Sequence, residues 1–176
     1  MNITGGKFNN RKVPSPKNDL VRPTSSKIRA SIFNMLQGMY NISQTVFLDL
    51  FAGSGIMGLE ATSRGADSVV FVEKNKIIYN ALKKTLQDFD GNFDSYNLDA
   101  LRFLDIAKTQ FDIIFLDPPY FEGFYEKVIA KIKKNSILKK NGILIVETPS
   151  ALVLPDSLNI VKEKIYGTTK ISFLTL

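Results

Sequence analysis

Apolar residues along this chain change their period near residue 45. Before it, Ile28, Ile32, Met35, Leu36 and Met39 recur three and four apart. That spacing predicts one face of a helix starting at Thr24 or Ser25 and running to about Met39. After it, short apolar runs alternate with amphipathic stretches. The runs 46–50, 68–73, 93–98, 111–116 and 143–146 read as strands, separated by helices over about 56–64, 76–89, 101–107 and 124–134. Two more extended runs, 159–166 and 170–174, flank Gly167-Thr168-Thr169 and read as an antiparallel pair. The first five runs have a near-continuous apolar character, as expected of strands covered on both faces. Repeated strand–helix units predict an α/β fold: a doubly wound, mostly parallel sheet of seven strands.

Residues 1–23 are rich in Gly, Asn, Lys and Pro and suffice for an edge hairpin at most. The expected organisation is therefore a single domain. Residues 1–39 form a basic arm and a helix packed on the core, and residues 40–176 form that core. At 176 residues the chain is long enough to bury a core without covalent staples.

In such sheets ligands sit beyond the C-terminal strand ends, near the point where strand order reverses. The residues falling there are 49–55, Glu73, Asp99 and 117–120, and they carry most of the candidate chemistry. The chain has no cysteine and no histidine. Ser-His and Cys-His nucleophile pairs and imidazole or thiolate metal sites are thereby excluded, and no metal is expected. No apolar run approaches the length of a membrane span, and the opening residues lack the apolar stretch of a secretory signal. A cytoplasmic, monomeric protein is expected.

The segment 49–58, Asp-Leu-Phe-Ala-Gly-Ser-Gly-Ile-Met-Gly, contains G-x-G-x-x-G, with Glu73 twenty residues after Gly53. Alone this fits a nicotinamide dinucleotide, whose pyrophosphate would lie on the glycines. Asp49 argues against it, because a fixed carboxylate at the first strand end opposes a pyrophosphate. It favours a cationic ligand without phosphate, such as S-adenosylmethionine. On that reading Ala52, Gly53, Ser54 and Gly55 allow close backbone approach to the methionine part and sugar. Glu73 accepts the ribose hydroxyls, Asp99 and the Ala100 amide take the adenine edge, and Phe51 lines the pocket. The competing expectations are a solvated strand-end acid at Glu73 and a helix cap at Asp99.

Asp117-Pro118-Pro119-Tyr120 follows the apolar run 111–116. It places a carboxylate, a carbonyl free of any ladder and an aromatic ring at the mouth of a buried strand. That set suits the grip of a planar amine. Bonds from an exocyclic base amine to the Asp117 carboxylate and the Pro118 carbonyl favour tetrahedral nitrogen and aim its lone pair; alignment supplies the rest. Tyr120 can stack on a base drawn out of its helix or loop. Pro118 and Pro119 stiffen the connection. The bland alternative is a rigid strand-to-helix connector with an incidental acid.

Charge is uneven along the chain. Residues 1–34 hold seven basic groups and one acid, which is the whole net charge of +6; the remainder balances at sixteen of each sign. A neutral globule with a cationic arm is a layout for binding polyanions. Arg11, Lys12, Lys17, Arg22, Thr24 and Arg29 are the residues expected to hold a nucleic-acid backbone.

The chain resembles the bacterial small-subunit ribosomal RNA guanine-N2 methyltransferases of the Rossmann-like, S-adenosylmethionine-dependent class. The likeness spans nearly the whole length. It is carried by Gly5-Gly6, Arg11-Lys12, Arg22-Pro23-Thr24, Phe33-Asn34, the run 48–55, Gly58-Leu59-Glu60-Ala61, Ser63-Arg64-Gly65-Ala66, Val72-Glu73, the run 116–120, Val146-Glu147 and Tyr166-Gly167. The resemblance implies methylation of a guanine amine in 16S-type RNA within a partly assembled small subunit. A DNA adenine-N6 or cytosine-N4 methyltransferase would use the same clamp but usually carries an added recognition region. A non-catalytic RNA-binding assembly factor is the alternative from another class.

Overall fold

The computed structural model describes residues 1–15, 25–119 and 123–176. The expectations for Lys17, Arg22, Thr24 and Tyr120 fall outside the described residues. Five helices are described: α1 Ser26–Met39, α2 Ile56–Ser63, α3 Lys76–Leu86, α4 Ala100–Ile106 and α5 Phe124–Lys134. The strands are β1 Val46–Asp49, β2 Ser68–Val72, β3 Asn92–Tyr96, β4 Phe111–Leu116, β5 Leu138–Pro149, β6 Asn159–Tyr166 and β7 Thr169–Thr175.

Local chemistry sets the helix starts. Ser25 Oγ accepts from the Ile28 amide at 3.3 Å, and Asn75 Oδ1 accepts from the Ile77 and Ile78 amides. Each satisfies backbone donors that a first helical turn leaves unpaired. α2 and α5 instead follow Gly55 and Gly123, both at positive φ, with no side-chain cap.

The strands form one sheet in the order β3-β2-β1-β4-β5-β7-β6. β1 to β5 run parallel, and β7 enters antiparallel between β5 and β6. Helices cover both faces. On one face α1, α2 and α3 bury Phe33, Leu59 and Leu82 over Phe47, Ile113, Ile145 and Phe173. On the other, α4 and α5 bury Phe103, Val128 and Ile132 over Leu48, Ile114 and Leu144. Neighbouring residues of the central strands thus feed opposite cores, which is why those runs show no polar alternation. Among the described residues no helix is long and apolar enough to cross a membrane.

Three expectations need correction. β3 is an edge strand whose residues are all at least partly exposed, so it lacks the cover that the other parallel strands have. β5 begins at Leu138, five residues before the apolar run. Leu138 pairs with Phe111 across an irregularity in register, and Lys139 is held by Asp112 at 2.8 Å. Its polar opening, Lys139-Lys140-Asn141, lies outside the apolar run from which the strand is read.

The third concerns the start of the chain, which is no free arm over its first 13 residues. Asn2 bridges Lys12, Ile3 and Val13 are buried, and the Lys7 amide donates to the Ser63 carbonyl at 2.7 Å. The segment closes on itself and seals the end of α2.

Candidate active site

β1 lies between β2 and β4, so the connections leaving β1 and β4 part to opposite faces and open a crevice between them. Asp49 ends β1 beside Phe115 of β4, and the Leu50 amide donates to the Phe115 carbonyl at 3.2 Å. Two residues beyond Phe115 stands Asp117. Pro118 behind it is buried, whereas Pro119 is exposed.

Asp49 is buried, and one of its oxygens accepts from the Gly58 amide at 3.0 Å. Burial pushes its carboxyl up to about 7; the Gly58 bond works against that, and the charge of Glu73 adds to it. Asp117 lies well above the ordinary carboxylate range, first through burial and then through the charges of Glu147 and Asp49. A crevice floored by two carboxyls, Asp49 and Asp117, that disfavour ionisation is poised for a positively charged guest. A pyrophosphate would meet the opposite field.

The turn after β1 is tied to β2 by the Ala52 amide, which donates to the Val72 carbonyl at 2.9 Å. Gly53 and Gly55 take φ of 52° and 78°. Only glycine adopts such values freely. At Gly55 and Gly58, however, the space a side chain would claim belongs to the core. A Cβ on Gly55 would lie 2.4 Å from Leu82, and one on Gly58 would lie 2.3 Å from Phe71. The expectation that Gly55 clears room for a ligand is corrected accordingly; α2 and α3 need that room. Ser54 is buried in the same turn.

Glu73, at the end of β2, accepts from the Gly53 amide at 2.9 Å and from the Asn75 amide at 2.7 Å. It bridges the glycine turn to the start of α3. Each carboxylate oxygen retains a lone pair after one such bond. Asp99 caps α4 through the Leu101 amide at 3.0 Å and lies 3.3 Å from Lys74 Nζ. The cap reading of Asp99 is therefore realised. Ala100 is buried directly behind it. Phe51 is half-buried, its ring edge-on to Phe124 at 6.0 Å.

Glu147 is the site acid that strand patterning did not single out. Val146 pairs with Leu116, so Glu147 stands level with Asp117 on the neighbouring strand. It is buried, and its carbonyl accepts from the Tyr125 hydroxyl at 3.2 Å. The available signal was its position. Like Asp49 and Asp117, it is an acid placed immediately after the apolar part of a central strand. Among the described residues no cluster of metal-binding side chains is present.

A family model described as conserved hypothetical protein 95 matches residues 1–175. The ribosomal RNA small subunit methyltransferase D of Haemophilus influenzae is 37% identical over 172 residues, covering 94% of this chain and 88% of that protein. This chain belongs to the methyltransferase D family. The Escherichia coli methyltransferase D is 33% identical over 169 residues, covering 94% of this chain and 84% of that protein. A solved structure of a putative methyltransferase from Escherichia coli matches with a TM-score of 0.87 at 30% identity, over 99% of this chain and 97% of that one.

In this member of the methyltransferase D family, Arg29 cannot reach a nucleic-acid backbone. Its side chain is buried, with Nε 3.2 Å from Glu60, and it also donates to the Asn2 carbonyl. Glu60 is itself inaccessible and accepts in addition from the Thr4 amide at 2.8 Å, Thr4 Oγ1 at 2.6 Å and Arg64 Nε at 2.9 Å. The residue expected to touch RNA instead pins α1 and the first residues of the chain onto α2. Arg11 remains exposed, but it is partly committed: its guanidinium lies over the Phe89 ring at 4.3 Å and donates to the Asp88 carbonyl. Lys12 is exposed.

Proposed function

We propose that the crevice binds S-adenosylmethionine and that the chain methylates the exocyclic N2 amine of a guanine in small-subunit ribosomal RNA, in an assembling subunit. The observation that carries the reading is the pair of carboxyls at the reversal point, Asp49 and Asp117, both held toward their neutral forms by burial and by neighbouring acids. The donor set fits a ligand whose reactive end is a cation. When bound, that ligand supplies a methyl group on a good leaving group.

The protein's share of the work is grip and alignment. Asp49 and the backbone around Gly53 would hold the amino-acid end, Glu73 the ribose, and Asp99 with the Ala100 amide the adenine edge. Asp117 and the Pro118 carbonyl accept the two hydrogens of the target amine. Fixing that amine in line with the methyl group replaces a random encounter, the kind of step where positioning contributes most. Tyr120 is assigned to stacking on the extruded base. The Arg11 and Lys12 side, with Lys17, Arg22 and Thr24, meets the RNA backbone; its strength should fall steeply with salt.

The experiment uses labelled S-adenosylmethionine with three acceptors: naked small-subunit RNA, immature subunits and double-stranded DNA. Label appearing in guanine N2 of the RNA supports the reading. Label in DNA amines alone, or none above the Asp117→Ala background in any acceptor, would overturn it.

A further inference from the structure

α1 and the β6–β7 hairpin share an unusual property. Residues 20–48 contain no acid at all, and between Asn159 and Thr175 Glu163 is the sole acid. The Glu163 carboxylate is engaged within the hairpin, accepting from Ser172 Oγ at 2.9 Å and lying 3.9 Å from Lys170 Nζ. Its neighbours Lys162 and Lys164 project to the other face, because successive strand residues alternate. That is the face covered by α1, as their cross-strand partners Phe173 and Ile171 belong to its core. Both lysines are exposed, and neither has an ion-pair partner among the described residues.

The two elements are joined at a defined point. The hydroxyls of Ser31 and Tyr166 share a hydrogen bond, and Lys164 Nζ lies 5.2 Å over the Tyr166 ring. Lys27 is one turn before Ser31 and so lies on the same side of α1, also exposed. Lys27, Ser31, Tyr166, Lys164 and Lys162 thus form one cationic and hydroxylic strip. The strip leads toward the crevice, since Tyr166 pairs with Thr169 and Thr169 with Pro149, two residues past Glu147. β6 stands three strands from β4, about 14 Å at ordinary spacing.

We infer that this strip is a second RNA-docking surface, which holds the phosphate backbone of the substrate on the side of the crevice away from the glycine turn. The inference rests on the function proposed above. Edge-strand lysines also deter sheet-to-sheet pairing. That duty does not require the acid-free helix beside them or the tie through Ser31. Unpaired cations beside an acid-free helix match a polyanion, and release of its counterions drives the contact.

The test compares wild type, Lys162→Glu/Lys164→Glu and the control Lys133→Glu/Lys134→Glu, at the end of α5. The probe is transcribed small-subunit ribosomal RNA, in salt-titrated binding and in methyl-transfer kinetics. The expected result is RNA affinity at least ten-fold weaker for the β6 variant only, with a shallower salt slope, a raised KM for RNA and an unchanged KM for the methyl donor. Equal effects of both variants, or no change in the β6 variant while wild type binds and methylates RNA, would overturn the docking surface alone. Failure of wild type to bind RNA would overturn the function together with it. Circular dichroism and melting of each variant separate lost binding from lost fold.

Discussion

Arg29 Nε and Glu60 Oε2 lie 3.2 Å apart with neither side chain reaching solvent. The pair connects α1 to α2, and Thr4 and Arg64 complete it on the Glu60 side. Removing one partner leaves a buried charge without its counterpart, which is far more costly than never having had the pair. Glu60→Ala should therefore lose about 3–5 kcal/mol in urea unfolding. A loss below about 1 kcal/mol would show that water reaches Arg29 easily, and that the first residues of the chain detach without consequence.

Asp49 makes stability depend on pH in a defined direction. Its carboxyl is raised from 3.8 to about 7 in the folded chain, so folding favours the protonated form. The stabilisation is complete below pH 3.8 and disappears as pH rises through about 7. Melting temperature measured between pH 4 and 8 should fall toward the alkaline end. In Asp49→Asn that fall should be shallower, the remainder belonging to Asp117, which is shifted the same way. An unaltered slope in Asp49→Asn would contradict the assignment.

Gly58 tests whether the glycines serve the core or a ligand. A methyl group there would lie 2.3 Å from Phe71 and 2.7 Å from Val69. Gly58→Ala should destabilise the chain by about 1–3 kcal/mol, the usual range for overpacking. Donor affinity, measured calorimetrically on the folded protein, should change less than three-fold. A stable variant with abolished donor binding would reverse the assignment.

Asp117→Asn keeps the shape and replaces one carboxyl oxygen, an acceptor, with an NH2 donor. Methyl transfer in single turnover should drop about 100-fold or more, in the range seen when one preorganised polar contact to the reacting group is lost. RNA affinity should stay within two-fold. Full activity in this variant would remove the amine clamp from the mechanism.

Much of this was legible in residue order. The doubly wound sheet followed from apolar runs of strand length alternating with amphipathic stretches, and the crevice acids Asp49 and Asp117 followed from their places at strand ends. What escaped depends on contacts between distant segments. Arg29 reads as one more surface cation until Glu60, thirty-one residues away, is seen to neutralise it. Glu147 gains its importance only once Val146 is paired with Leu116. The polar start of β5 is held in the sheet by Asp112 gripping Lys139, a bond that no hydropathy pattern encodes.

The contact between Gly55 and Leu82 ties the floor of the crevice to the middle of α3, and Glu73 ties it again at that helix's start. Whatever settles on the turn must press on or steady this helix. Amide exchange along residues 78–86 is therefore a remote gauge of occupancy, readable without any label on the guest and before any chemistry has occurred.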